Sequence, residues 1–179
     1  MCRMQGFTLL EVLIAVLVLA VGLIGGTAMQ LHAMRARHES ALLSTATRLA
    51  AGMAERIRAN SAQLPVYLAA QYDAHAEPVP SRPGALCLDA ACDAGQLAQL
   101  DIYELKRQVR TALPAGRARI CRDAQTWADG RLRWECSGEP AAPVVIKVGW
   151  RGKRPDGTPD GDVDDPSPGA VIAVAGVAP

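Results

Sequence analysis

Residues Phe7 to Gly26 form a run of twenty positions in which Glu11 is the single charge. No proline interrupts it. As a helix rising 1.5 Å per residue, the run spans about 30 Å, the depth of one hydrocarbon core. The apolar pattern then narrows instead of stopping. Leu42, Ala46, Leu49, Met53 and Ile57 recur at spacings of three and four, with Arg48, Glu55, Arg56 and Arg58 largely off that stripe. No Gly–Pro punctuation separates the two patterns, so they predict one helix from about Phe7 to about Asn60, roughly 80 Å long. A compact domain of 179 residues does not contain such a helix, and an extended fold is expected. Asn60-Ser61 and then Pro65 supply the stop.

The remaining chain reads differently. All twelve prolines lie beyond Leu64, and "EPVPSRPGALCLDAACDAG" is rich in turn formers, so residues 65 to 96 are expected to be irregular. Asp101-x-x-Glu104 has the spacing of a capping box and predicts a second helix with Ile102, Leu105, Val109 and Ala112/Leu113 on its apolar face. Pro114 and Gly116 end it. "ARICRDAQTW" and "RLRWECS" flank Ala128-Asp129-Gly130 and predict a hairpin. "VVIKVGW" predicts a third strand and "AVIAVAGVA" a fourth. A formal net charge of +1 points to no nucleic-acid or acidic partner. No Ser-His-Asp order, phosphate loop or nucleotide fingerprint is present.

Glu11 needs an explanation, because a carboxylate at the centre of a bilayer costs about 2.5–3.5 kcal/mol or more. A secretory signal peptide has a shorter apolar core and a small-residue cleavage site. A plain membrane anchor fits the length and leaves Glu11 unexplained. Cys2 precedes the apolar run, where a lipid anchor would need it to follow. Glu11 could also snorkel to the headgroups, being near the helix end. "GFTLLEVLIA" instead resembles the type IV prepilin signature, with Gly6, Phe7, Thr8, Leu9 and Glu11 all falling where that family has them. The resemblance implies cleavage between Gly6 and Phe7 by prepilin peptidase in the inner membrane and N-methylation of Phe7. It also implies that the Glu11 carboxylate meets the freed amine of a neighbouring subunit. Two unit charges about 4 Å apart attract by roughly 4 kcal/mol at an effective dielectric of 20, so a charge costly alone is compensated in an assembly. Gly22 and Gly26 form a Gly-x-x-x-Gly pair, which reads equally as a close-packing surface and as chance.

The likeness extends further. "ATRLAAGMAERIRAN", with Arg48 to Asn60 at its core, is similar to a segment of the minor pilins of the PilV, or pilus-modification, type. "LPAGRARICRD" after the second predicted helix is a weaker likeness, and nothing beyond Cys136 resembles that family. The resemblance implies a leader at 1–6, a transmembrane helix half at 7–26, an amphipathic continuation at 27–60 and a periplasmic globular domain at 61–179. The implied fold is α+β and type IV pilin-like, a long N-terminal helix packed on a small antiparallel sheet with one additional helix. The implied role is non-enzymatic, without a cofactor. The protein would sit in the inner membrane with its C-terminal domain in the periplasm, then in the pilus fibre or tip. Its partners would be prepilin peptidase, other minor pilins, the major pilin and the inner-membrane pilus assembly platform. The minor pseudopilin I of type II secretion systems is the nearest rival; it is usually shorter and lacks "MAERIRAN". A membrane-anchored periplasmic binding domain is the reading from another class.

Four cysteines behind a membrane segment suggest an oxidising compartment and two disulfides, which can pair in three ways. Pairing Cys121 directly opposite Cys136 across the hairpin requires a four-residue loop, Trp127 to Gly130, and puts Arg122 opposite Glu135. That pairing leaves Cys87 with Cys92. A tight Asp129-Gly130 turn would miss the register by two residues. Zinc is the rival reading, at a spacing loose for a structural site. "DGTPDGDVDDP" (Asp156 to Pro166) alternates carboxylates at Asp160, Asp162 and Asp164, as calcium would need, but it lacks the twelfth-position Glu of an EF-hand and reads first as a solvated loop. "KVGWRGKR" places four cations beside Trp150, either as a surface patch or as the protection of an edge strand. His32, His38 and His75 show no ligand spacing and read as surface residues.

Overall fold

The computed structural model describes residues 8–88, 90–153, 159–160 and 168–176. Gly6, Phe7 and Cys2 lie outside the described residues, as does most of the aspartate run from Asp156 to Asp165. The chain divides into two units, one ending at Ala41 and one beginning at Leu42. Helix α1, Leu9–Ala59, runs through the boundary without a break. In the first unit it is exposed along its whole described length.

In the second unit the helical stripe turns inward. Leu42, Ala46, Ala50, Met53, Ala54 and Ile57 are buried and Leu49 is partly buried. Ala50 and Ala54 widen the stripe read from the sequence, and their small side chains let the helix lie close to its neighbours. After α1 come a 3₁₀ turn at Ser61–Gln63, the short helix α2 at Leu64–Leu68 with Pro65 in its first turn, and strand β1 at Gln71–Asp73. This corrects the expectation that residues 65 to 96 are all irregular. Pro65 starts a helix, because its fixed φ and missing N–H suit a first turn.

Helix α3 spans Ala94–Ala112, seven residues longer at its start than Asp101-x-x-Glu104 predicted. Its cap is Asp93: the carboxylate accepts from the Gln96 amide at 2.8 Å, and the Gln96 side chain accepts from the Asp93 amide at 3.0 Å. The signal Asp93-x-x-Gln96 was in the sequence, masked by turn formers and by Gly95. At Gly95 a Cβ would stand 3.3 Å from the Asp93 carboxylate, so glycine leaves the cap room.

The main sheet is antiparallel in the order β1-β2-β5-β8, with β2 at Arg117–Arg122, β5 at Val144–Gly149 and β8 at Ala170–Ala173. Alternation sorts its two faces. Ala118 and Ile120 of β2 and Val144, Ile146 and Val148 of β5 join the core with α1, α2 and α3. Cys121, Val145 and Lys147 point the other way and are also buried. The excursion between β2 and β5 covers that second face, with Trp134 only 2% exposed. A strand buried on both faces reads as a continuous apolar run, as β5 does.

The excursion departs from the hairpin expected. β3, Trp127–Ala128, and β4, Arg131–Leu132, pair Trp127 with Leu132 and Ala128 with Arg131. Their turn is the tight Asp129-Gly130 pair, with φ of 53° and 76°, the two positive values a type I′ turn needs. The four-residue loop and the opposition of Arg122 to Glu135 are therefore incorrect. Arg122 lies opposite Val144, and Glu135 pairs with Arg133 at 3.4 Å. The physical reason is that β2 spends its ladder on β1 and β5, so the hairpin is only two residues per strand. Cys136 lies beyond it in irregular chain, free to reach Cys121 without any cross-strand register. Both disulfides are present, Cys121–Cys136 and Cys87–Cys92, with Cα separations of 6.3 and 5.3 Å. Two further short strands, β6 at Gly152–Lys153 and β7 at Pro159–Asp160, pair with each other.

This is an α+β fold: a long N-terminal helix, a small antiparallel sheet and one additional long helix.

Candidate assembly site

The start of α1 is shaped by Thr8 and Glu11. The Glu11 amide donates to the Thr8 hydroxyl at 3.3 Å and to the Thr8 carbonyl at 3.1 Å, which makes Thr8 the cap. Thr8-x-x-Glu11 has capping-box spacing, a signal the sequence reading passed over in favour of the prepilin pattern. An acid in the first turn also faces the positive end of the helix dipole. Glu11 is exposed and makes no ion pair among the described residues.

Around it the helix is an unpartnered apolar surface. Leu9 is 86% exposed and Ile24 71%, with the large apolar side chains between them similarly open. From Val12 to Met34 the sequence holds no Asp, Glu, Lys or Arg, and the most apolar window of α1 has a mean hydropathy of 2.6. That is long and apolar enough to cross a bilayer. At Gly22, Gly25 and Gly26 a Cβ would meet nothing within 4 Å, so packing inside the subunit does not require glycine there. Thr27 Oγ1 donates back to the Ile24 carbonyl at 2.9 Å just after them. The arrangement offers an acid, a greasy wall and small residues, with nothing among the described residues of the same unit to use them.

The "MAERIRAN" stretch does its work in the second unit. Arg56 Nη1 donates to Asp101 Oδ1 at 2.7 Å, and Tyr67 OH donates to Asp101 Oδ2 at 2.8 Å. Asn60 Nδ2 donates to Tyr67 OH at 3.2 Å and to the Ala94 carbonyl at 2.8 Å. The last turn of α1 is thus tied to the middle and the start of α3. Asp101, read as a helix start, is instead a buried mid-helix acid, 5% exposed, satisfied by two donors. Burial first, and then the bond to Asp101, push the Tyr67 hydroxyl up to about 12. Arg58 pairs with Glu55 on the exposed side of α1.

A second network lies behind the sheet. Lys147 Nζ, with its side chain fully buried, donates to Asp123 Oδ2 at 2.6 Å and to the carbonyls of Arg133 and Glu135 at 2.7 and 2.6 Å. All three ammonium donors are used. Asp123 Oδ1 accepts from the amides of Gln125 and Ser137 at 2.9 and 3.3 Å. Burial opposes ionisation of Asp123 most strongly. The Lys147 ammonium and those two amides together outweigh it and hold the carboxyl below its usual range. Arg151 forms a third pair, reaching both Asp73 oxygens at 3.4 and 3.2 Å. "KVGWRGKR" is therefore neither a surface patch nor an edge strand as far as Arg151. β5 is central in the sheet, and Lys147 and Arg151 are buried and paired. A lysine flanked by valines in a central strand gave no sequence sign of which distant acid it would meet.

His32, His38 and His75 are exposed. Among the described residues no cluster of His, Cys, Asp and Glu is disposed to hold a metal ion.

Residues 1–27 match the family model of the prokaryotic N-terminal methylation motif, and residues 28–103 match the model described as type IV pilin Tt1218. No curated protein and no solved structure matches the chain.

Proposed function

We propose that this chain, which carries a type IV pilin domain behind an N-terminal methylation motif, is a minor pilin of the PilV type that primes assembly and caps the pilus tip. Prepilin peptidase cuts between Gly6 and Phe7 and methylates Phe7. α1 holds the subunit in the inner membrane, the domain from Leu42 lies in the periplasm, and the subunit then leaves the bilayer for the filament. The observation that carries the reading is Glu11, without an ion pair among the described residues, in the exposed apolar part of α1. Such an acid gains most where a neighbour's freed amine is offered. The likeness of Arg48 to Asn60 to the PilV-type segment supports that assignment over a secretion pseudopilin.

Intact mass of the protein from membranes tests processing: loss of residues 1–6 and one added methyl group are expected. Chemical identification of co-purifying subunits then separates minor pilins from secretion pseudopilins. A deletion that abolished secretion and left twitching intact would overturn the pilus reading in favour of the pseudopilin.

A further inference from the structure

The solvent side of α3 is crossed by residues 82–88, and between them lies a groove of about 490 Å³. Its apolar lining is Leu86, Leu88, Leu100 and Tyr103, and among the described residues its rim carries Arg56, Arg82 and Arg107 and the acid Glu104. The rim cations are unequally occupied. Arg56 is committed to Asp101 and Arg107 to Glu104, both at 2.7 Å. Arg82 is exposed and makes no hydrogen bond or ion pair among the described residues. Among the described residues, and counting the buried Asp101, Arg82 is the guanidinium of the rim that no carboxylate engages. Leu88 beside it is 78% exposed.

The wall of the groove is held in an uncommon shape. Cys87 sits at φ 56°, in the left-handed region that residues with a Cβ rarely adopt, and its disulfide to Cys92 closes a ring that keeps it there. The turn presents Leu86 and Leu88 on either side of Cys87. An apolar lining under a spare guanidinium suits a side chain of leucine size flanked by carboxylates, since the guanidinium fork binds a carboxylate bidentately.

We propose that this groove docks an acidic, apolar-anchored segment of a neighbouring pilin-type subunit. The inference rests on the assembly role given above. The groove is open to solvent along α3, and the Arg82 guanidinium at its rim, engaged by no described carboxylate, favours a carboxylate-bearing peptide segment there. Arg82 supplies the charge that selects an acidic partner, and Leu86 and Leu88, on either side of Cys87, supply apolar lining.

The test places a photo-crosslinking benzoylphenylalanine at Leu88 in the full chain, in cells that assemble filaments, and maps the adduct by mass spectrometry. The expected adduct joins Leu88 to a pilin-type subunit at a peptide containing Asp or Glu. R82E combined with R107E lowers its yield at least tenfold, and arginine in place of the mapped acids restores it. R82E alone, which breaks no bond among the described residues, lowers the yield at least threefold. The C87S/C92S pair also lowers it, with the head still folded by circular dichroism. An adduct on a neutral or basic peptide, an adduct on lipid only, a yield unchanged by both arginine variants, or no adduct each overturns the proposal. Immunoblots of sheared fibres from the same cells report separately on the assembly reading. Protein in fibres with no Leu88 adduct defeats the groove alone, and protein absent from fibres defeats the assembly role whatever Leu88 shows.

Discussion

The two ends of α1 solve opposite problems. Before Ala41 the helix exposes nearly every apolar side chain, and Glu11 meets no cation among the described residues. After Leu42 the same helix buries its stripe, and the buried acids Asp101 and Asp123 and the buried Lys147 all have partners within 2.8 Å. A region whose buried acids and lysine are paired internally can fold without help from outside. A region whose requirements are unmet is built for surroundings the subunit does not contain, first lipid and then other subunits. Substitutions on the exposed half of α1 and at the buried pairs of the head should therefore separate into losses of assembly and losses of stability.

The largest effect falls on the incomplete region. Glu11→Ala is expected to lower incorporation into sheared fibres at least tenfold while leaving the melting temperature of the head unchanged. Equal incorporation, measured by immunoblot, would break the comparison at its root. Next comes Lys147→Met, which strands the Asp123 carboxylate in the sheet. Breaking a buried pair by removing one partner costs about 3–5 kcal/mol. Denaturant unfolding of the head should show that loss, with leader processing unaffected. Replacing Lys147 and Asp123 together by apolar residues should cost less than Lys147→Met alone, because no charge is then left unpaired.

Removing the Cys121–Cys136 bridge as the double serine variant is expected to cost about 3 kcal/mol, the loop-closure value for a ring of this size. The bridge and Lys147 anchor the same excursion, so their effects should not add, and a double-mutant cycle measures the coupling.

The sequence was most legible where one pattern ran long. The apolar run and the stripe from Leu42 to Ile57 predict α1 to within two residues at each end, and β5 is equally plain, whereas of the strand expected over "AVIAVAGVA" the described residues hold β8 at Ala170–Ala173. What stayed hidden depended on partners far apart in the chain. Lys147 meets Asp123 across 24 positions and Arg56 meets Asp101 across 45, and no local period encodes either. The hairpin register failed for a related reason: β2 pairs with β5, 22 residues on at its end, in preference to the segment next to it. The capping error at Asp101 was different, since the true signal at Asp93 was present and outweighed by its turn-rich surroundings. For Glu11 the sequence carried the pattern and the structure adds the Thr8 cap. Gly6 and Phe7 rest on the pattern.

Tyr67 gives a smaller and pH-dependent effect. Its hydroxyl is raised to about 12 in the fold from an unfolded value near 10. Below pH 10 both states hold the proton and the stabilisation is complete. Between pH 10 and 12 the unfolded chain has lost the proton and the folded one keeps it, so stability falls as pH rises, by on the order of 2 kcal/mol in all. Tyr67→Phe should lack that slope. The difference between the two proteins across pH 10 to 12 isolates it from the other groups that titrate there.

The smallest effect sharpens the contrast within one helix and one residue type. Gly52 stands in the part of α1 that packs in the head, Gly22 in the part that is exposed, and a Cβ at either would meet nothing within 4 Å. Glycine inside a helix costs about 1 kcal/mol relative to alanine. Gly52→Ala should therefore raise the stability of the head by up to about 1 kcal/mol with no loss of incorporation, because the head is complete without it. Gly22→Ala adds the same methyl group to a surface whose partners lie outside the subunit. If that surface packs closely against other helices, the methyl group stands in their way and incorporation falls while the head is unaffected. Matched melting curves and fibre blots for the two variants read both outcomes. A Gly52→Ala protein that melted higher and also failed to assemble would show that the head surface near Gly52 is a contact as well.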